Sequence, residues 1–189
     1  EFEALMTYTH PGNDGNVIVP WYEGERTPDL PNASPIYFGF SYDDLTKEKV
    51  ARGLIEGHVL NLYEGFSKMP VKPKEIYITG GLSQSKVWCQ MISDIFNCKA
   101  TPVLGEGAAL GAALHAGWVW NNENGSNETL SNMVAPFIKF DERLRCTPKP
   151  ENIKIYEDLK SLYSSITMRI RGLHGPDPFE LKRGFKSKN

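Results

Sequence analysis

Residues 75–117 alternate strand-like and helical stretches, and the passages from strand to helix run through glycine. Ile76, Tyr77, Ile78 and Thr79 are β-branched or aromatic, which suits an extended strand. Gly80 and Gly81 end it abruptly. Ser83 and Ser85 are good helix caps, and Val87, Trp88, Met91, Ile92, Ile95 and Phe96 then recur at helical spacing, predicting a helix over 84–97. Residues 99–104 read as a second, parallel strand. Gly105-Glu106-Gly107 leads into a helix of small residues over 108–120, whose Ala108, Ala109, Gly111, Ala112, Ala113 and Ala116 permit close packing against a sheet or a ligand. This succession predicts an α/β fold.

The glycine pair also has a chemical use. Without a Cβ, the backbone can come close to a ligand. The helix that follows presents unpaired N–H groups and a partial positive charge, which suit phosphate. Taken alone, the unit reads better as an ordinary turn of an α/β domain, because a paired glycine is a weak signal.

The 189 residues are 40% hydrophobic, which suits one globular domain or a piece of a larger one. A net charge of −2 gives no global electrostatic case for nucleic acid or a membrane surface. The basic end, with Lys182, Arg183, Lys186 and Lys188, reads as a solvated tail. No run is long and apolar enough to span a bilayer, and the first residues lack a signal-peptide pattern. Cys89, Cys98 and Cys146 lack metal-ligand spacing, and Cys89 reads as a small buried hydrophobe within its helix. A reducing cytoplasm is the simplest compartment for them. The glycosylation-type triplets at Asn32, Asn124 and Asn127 read as chance.

Elsewhere, residues 1–8 read as the end of a helix, 10–16 as a turn-rich loop and 17–19 as a short strand. In the loop Gly24-Glu25-Arg26-Thr27-Pro28, Arg26 is either part of an ion-pair cluster that holds the loop together, the reading chemistry favours, or an anion contact. Residues 37–40 read as a short strand or turn. A helix is expected over 46–69, with Val50, Leu54, Val59, Leu60, Leu62 and Tyr63 as its apolar stripe and Thr46 or Asp44 as its cap. Gly53, Gly57 and Gly65 each weaken it by about 1 kcal/mol against alanine, a cost that points to close packing on a neighbour. Residues 121–132 read as a loop, and Phe137, Ile138 and Phe140 as docking side chains. A last helix is expected over 151–170 on Ile155, Leu159, Leu162, Tyr163 and Ile166, followed by a peripheral tail over 176–189.

Three blocks in this order carry a resemblance: Gly24-Glu25-Arg26-Thr27-Pro28, then Thr79-Gly80-Gly81-Leu82-Ser83-Gln84-Ser85, then Glu106-Gly107-Ala108-Ala109-Leu110-Gly111-Ala112-Ala113. With Leu54-Ile55-Glu56-Gly57 between the first two, they resemble the C-terminal half of FGGY-type carbohydrate kinases over roughly residues 15–170. Within the family the likeness is strongest to members that phosphorylate D-xylulose. The resemblance implies an actin-like, ribonuclease-H-like ATPase domain, the C-terminal half of a two-domain sugar kinase. Residues 1–175 would be that domain without its first strands, and 176–189 its basic tail. ATP or ADP would lie against this half and the pentulose against the other. Gly80 and Gly81 would approach the phosphates, Ser83, Ser85 and the helix N-terminus would support the nucleotide, and Gly107 would lie beside it. Arg26 and Gly39 are candidate cleft residues, and residues 39–48 would face the phosphate end. Mg²⁺ would be held mainly through phosphate oxygens, so no side chain here is named as a metal ligand.

The chain departs from the family pattern at Leu82, where a small residue is usual, and at Gly53, where alanine or serine is more frequent; a basic or asparagine side chain often stands near the serine, a part that is open to Lys86 but not assigned to it. The catalytic aspartate and the amino-terminal phosphate loop belong to upstream segments, so no catalytic residue is expected in this chain. The expectation is a fragment: marginally stable or sticky alone, with the N-terminal half of the kinase as partner and a second copy as another candidate for its exposed sheet face. The implied reaction makes D-xylulose 5-phosphate, with gluconate, ribulose or another polyol as the alternative substrate. A non-catalytic nucleotide-binding module and a purely structural α/β domain are the competing readings.

Overall fold

A computed structural model describes residues 2–105 and 107–186. Helix α1 (Phe2–Met6) leads into a 3-10 turn at Asn13–Gly15 and then strand β1 (Val17–Val19). β1 is buried along its length and pairs antiparallel with β2 (Ile36–Phe38), Ile18 opposite Tyr37. Helix α2 (Lys47–Phe66) starts at Thr46, whose hydroxyl accepts the Lys49 N–H. It lies across β1 on a glycine face. A Cβ at Gly57 would run into the Ile18 carbonyl oxygen, and one at Gly53 would lie 3.2 Å from the Ile18 side chain. Two of the three helix glycines therefore let strand and helix backbones touch. A Cβ added at Gly65 would have nothing within 4 Å, so close packing does not explain that glycine, and Leu62 of the expected stripe is 57% exposed.

The second sheet begins with β3 (Glu75–Ile78). Helix α3 (Lys86–Phe96) crosses over to β4 (Lys99–Leu104), which runs parallel to β3 with Ile78 beside Pro102. Trp88, Cys89, Met91, Ile92 and Ile95 of α3 are buried. Next come α4 (Gly107–Glu123), α5 (Leu130–Val134) and β5 (Lys139–Phe140), whose antiparallel pairing with β4 gives the sheet order β3-β4-β5. The expected docking of Phe137, Ile138 and Phe140 is thus partly a strand. Phe140 stacks on Tyr77 at 5.1 Å between ring centroids, while Phe137 and Ile138 remain exposed.

Helix α6 (Pro150–Ile170) closes the core against α2 and α3 through Tyr156, Leu159, Leu162, Tyr163 and Ile166. Its start is fixed by Asp94 of α3, whose carboxylate accepts the Lys149 N–H at 2.8 Å and the Asn152 amide at 2.7 Å. A negative charge there also suits the helix N-terminus. The chain ends in α7 (Pro178–Lys186), packed on α6 and on the Asn13–Gly15 turn. This corrects the expectation of a peripheral tail: Lys182 is 8% exposed, and its ammonium donates to Asn16 Oδ1 at 2.6 Å. Lys188 and Glu106 lie outside the described residues. Among the described residues no helix is long and apolar enough to cross a membrane.

A buried carboxylate ties these layers together. Glu56 Oε1 accepts the Gly12 N–H at 2.9 Å, the Tyr156 hydroxyl at 3.1 Å and Arg52 Nη1 at 3.3 Å. Arg52 also donates to Thr9 Oγ1 and to the Met6 and Thr9 carbonyls. Glu56 Oε2 is buried with no hydrogen-bond partner. Burial pushes the Glu56 carboxyl above the usual carboxylate range, against the opposing pull of Arg52.

Two outcomes are expected. Gly57→Ala should lower the free energy of unfolding by about 1–3 kcal/mol through overpacking, whereas Gly65→Ala, in open space, should raise it by about 0.5–1 kcal/mol. Urea unfolding measures both, and a neutral Gly57→Ala would contradict the close approach. A carboxyl that holds its proton more tightly folded than unfolded loses stability as pH rises through the usual carboxylate range towards its folded value. The wild type should therefore lose stability relative to Glu56→Gln over that rise. A relative gain would mean that Arg52, not burial, governs the group.

Candidate functional site

The carboxyl ends of the parallel strands β3 and β4 lie side by side, and each gives way to a glycine turn before a helix. After β3 the chain passes Thr79 and Gly80, which has φ +91°, into a 3-10 turn over Gly81–Gln84. Only glycine adopts such a φ without strain. A Cβ at Gly80 or Gly81 would have nothing within 4 Å, so the backbone there faces open space. Ser83 fastens the turn from inside. It is buried, and both its hydroxyl and its N–H donate to the Gly80 carbonyl, at 2.7 and 3.1 Å. Ser85 then caps α3 by accepting the Trp88 N–H.

After β4 the corresponding position is Gly105, with φ +96° and equally open space. α4 begins at Gly107, where an added Cβ would lie 2.7 Å from Thr79 Oγ1. Gly107 thus brings the start of α4 against the residue that precedes Gly80. The two strand ends therefore meet at Thr79 and Gly107, at the carboxyl ends of adjacent parallel strands, the general location of ligand sites in open α/β sheets.

The structure brings Gly80, Gly81, Ser83, Ser85 and Gly107 together. Their exposures differ: Gly80 and Gly81 are exposed, Ser85 and Gly107 are half-buried, and Ser83 is buried. The Ser85 hydroxyl donates to Glu3 Oε1 at 2.8 Å, so a contact between Ser85 and a ligand would exchange with Glu3. Lys86 turns away. Its ammonium donates to the Arg143 and Arg145 carbonyls at 3.2 and 2.8 Å and holds the segment after β5.

Arg26 and Gly39 belong to the β1–β2 region instead. Arg26 is exposed, and among the described residues no ion pair involves it. The expected ion-pair cluster is corrected accordingly: Glu25 holds the loop by accepting the Arg26 and Thr27 N–H groups on Oε1 and the Asn61 amide on Oε2. Asn61 in turn accepts from Trp21 Nε1 and the Tyr163 hydroxyl. These hydrogen bonds hold the Glu25 carboxyl below its usual range, although partial burial opposes them. Gly39 packs on Lys182 and on the Gly15 carbonyl.

Gly107 and Gly117 of α4 pack closely, on Thr79 and on Met133, but Ala108, Ala109, Gly111, Ala112, Ala113 and Ala116 are exposed. No residue of that helix is fully buried, and Gly111 has open space around it. Leu110 and Leu114 instead face an apolar groove of ≈ 410 Å³ shared with Tyr77, Leu104, Phe137 and Phe140. A second groove, of ≈ 480 Å³, opens on the other side of β3 between Leu62, Phe66, Ile76, Ile92 and Phe96. Within the sheet β3 has β4 on one side and, among the described residues, no strand on the other. Among the described residues no group of three or more His, Cys, Asp or Glu side chains is placed to hold a metal ion.

Comparison with known proteins gives a consistent result. Residues 2–120 match the C-terminal domain of the FGGY family of carbohydrate kinases. A xylulose kinase of Haemophilus influenzae is 32% identical over 167 residues, 86% of this chain and 33% of that protein. A gluconokinase of Bacillus subtilis is 31% identical over 165 residues, 83% of this chain and 30% of that protein. The chain thus spans about a third of the length of the curated relatives it matches. Among solved structures, a ligand-bound xylulose kinase from Lactobacillus acidophilus superposes with a TM-score of 0.78 at 27% identity, covering 90% of this chain and 34% of that one. Plasmodium falciparum glycerol kinase with ADP shares the fold, with a TM-score of 0.67 at 19% identity over 93% of this chain and 34% of that one.

Proposed function

Because the chain belongs to the FGGY family of carbohydrate kinases, as its C-terminal domain, we propose that it forms the nucleotide-facing side of an ATP-dependent sugar kinase. The observation that carries this reading is the joined pair of glycine turns, whose backbone is open at Gly80, Gly81 and Gly105. Such a surface admits a polyphosphate close to main-chain N–H groups, and the adjoining helix starts favour its charge. Gly80 and Gly81 approach the phosphates of ADP or ATP, Ser83 keeps their turn rigid, and Ser85 and Gly107 border the nucleotide. Mg²⁺ neutralises phosphate charge and is held mainly through phosphate oxygens.

Phosphoryl transfer needs an acceptor hydroxyl in line with the γ-phosphate and a base to take its proton. In this reading both belong to another part of the kinase, and the chain alone positions nucleotide without turning it over. The free edge of β3, with apolar grooves on both sides, is where that part adjoins. D-Xylulose is the preferred substrate, giving D-xylulose 5-phosphate, because xylulose kinases stand among the relatives in both sequence and structure. A gluconokinase and a ribulokinase at similar identity make gluconate and ribulose the alternatives. Three reduced, buried cysteines suit a cytoplasmic location.

Calorimetric titration with MgADP tests the cradle. Gly81→Val places its side chain in open space, so the melting temperature should hold while ADP affinity falls at least about tenfold, or roughly 1.4 kcal/mol. Equal affinity in the variant, or no binding by the wild type, would overturn the reading. Offered D-xylulose, gluconate and ribulose, the complete kinase that contains this chain should show its highest kcat/KM with D-xylulose. A preference for either other sugar would reassign the substrate and leave the cradle standing.

A further inference from the structure

Three glycines with left-handed backbone, Gly12 (φ +82°), Gly15 (φ +71°) and Gly39 (φ +86°), come from two separate loops, and α7 reaches all three, sharing the space at Gly12 with Ile155 of α6, whose Cγ2 a Cβ there would meet at 2.6 Å. A Cβ at Gly15 would lie 3.0 Å from the Phe185 ring, and one at Gly12 would lie 3.3 Å from the same ring. At Gly39 it would lie 2.6 Å from the Lys182 ammonium. Phe179, one turn earlier on α7, sets its ring 5.0 Å from that of Phe38, the residue before Gly39. Phe179, Lys182 and Phe185 are spaced by three, so they share one face of the helix. Lys182 also donates to the Asp14 carbonyl and to Asn16 Oδ1, spanning the turn that Phe185 covers.

The segment that tethers this face is exposed and anchored to α6 at two points, where the Ser165 hydroxyl donates to the Pro176 carbonyl and the Leu173 N–H to the Met168 carbonyl. Residues 171–177 are all exposed between α6 and α7, and Gly172 has φ +69°. α7 itself lies beyond the residues that match the family, whereas the three glycines lie within them.

We propose that α7 is a detachable strap, with Lys182 as its pin, and that its docking fixes the conformation of the Asn13–Gly15 turn and of the bend at Gly39. α2 also holds the first loop, through Glu56 on the Gly12 N–H, the Lys49 carbonyl on the Asn13 amide and the Lys49–Asp14 ion pair, and α7 adds its contacts to these. Asn13 and Asp14 both sit at positive φ, 48° and 54°, which Asn and Asp adopt more readily than other side chains and which surrounding contacts enforce. When the strap lifts, both loops relax together while α3, which α7 does not cover, is unaffected. The inference is independent of the nucleotide reading.

Amide hydrogen exchange tests it on the full chain, on a chain ending at Pro176 and on Lys182→Met. Residues 10–16 and 36–41 should exchange at least about tenfold faster in both variants, with residues 86–96 unchanged. A peptide of residues 177–186 added to the shortened chain should restore slow exchange at both loops. Wild-type exchange at the loops in the shortened chain would overturn the proposal. So would equal acceleration of 86–96, which would make α7 a general stabiliser. If the shortened chain does not fold, Phe185→Ala replaces it beside Lys182→Met under the same criteria. Unchanged loops in both point variants would then overturn the proposal.

Discussion

One buried carboxylate oxygen, Glu56 Oε1, joins three separate segments of the chain. It accepts from the Gly12 backbone, from Arg52 one turn away on α2 and from Tyr156 on α6. A carboxylate taken out of water is costly unless its oxygens are paired, and here one oxygen is saturated while the other has no partner. The geometry therefore depends on all three donors being in place together. Losing any one would leave buried charge less compensated than before, so α2, the amino-terminal turn and α6 must assemble as a unit. Burial also raises the Tyr156 hydroxyl well above its usual range, so it remains a neutral donor. The glycine face of α2 acts in the same region. It lets the helix settle directly on the β1 backbone and sets the depth at which Glu56 is buried.

The candidate site is built on the opposite principle. Around Gly57 the missing side chain is replaced by protein. Around Gly80, Gly81 and Gly105 it is replaced by nothing. Glycine is needed in both places, for packing in one and for access in the other. The rigidity of the open surface comes from beneath, where Ser83 bonds back to Gly80 and Ser85 caps α3. The exposed small-residue face of α4 and the two grooves beside β3 give this half of the molecule a surface suited to a further layer, in keeping with the greater length of the relatives.

Much of this was legible from residue patterns. Helices α3 and α6 carry uninterrupted apolar stripes with clear stops, and their expected limits fall within two residues of those observed. The parallel pair β3 and β4 followed from β-branched runs on either side of a helix. The three sequence blocks led to the family, and the glycine turns are where they were expected. What stayed hidden rests on long-range partners. β5 is two residues long and exists only because β4 offers it an edge. α7 mixes Phe179, Leu181 and Phe185 with one acid and three basic residues, and the glycines that receive it lie more than a hundred residues earlier. Arg26 looked like the centre of an ion-pair cluster, but the acid next to it holds the loop through backbone N–H groups, an arrangement invisible to charge counting. Glu56 was legible as part of a motif, but its burial was not, because nothing local marks a carboxylate whose donors come from elsewhere in the chain.

A nucleotide-phosphate cradle made of two glycine turns would bind through its backbone N–H groups. The most direct measurement is a backbone amide NMR titration with MgADP. The largest shift changes should fall on Gly80, Gly81, Gly105 and Gly107, with little change in the groove lined by Leu62, Phe66, Ile76, Ile92 and Phe96. Changes centred on that groove, or no saturable change at the four glycines, would contradict it.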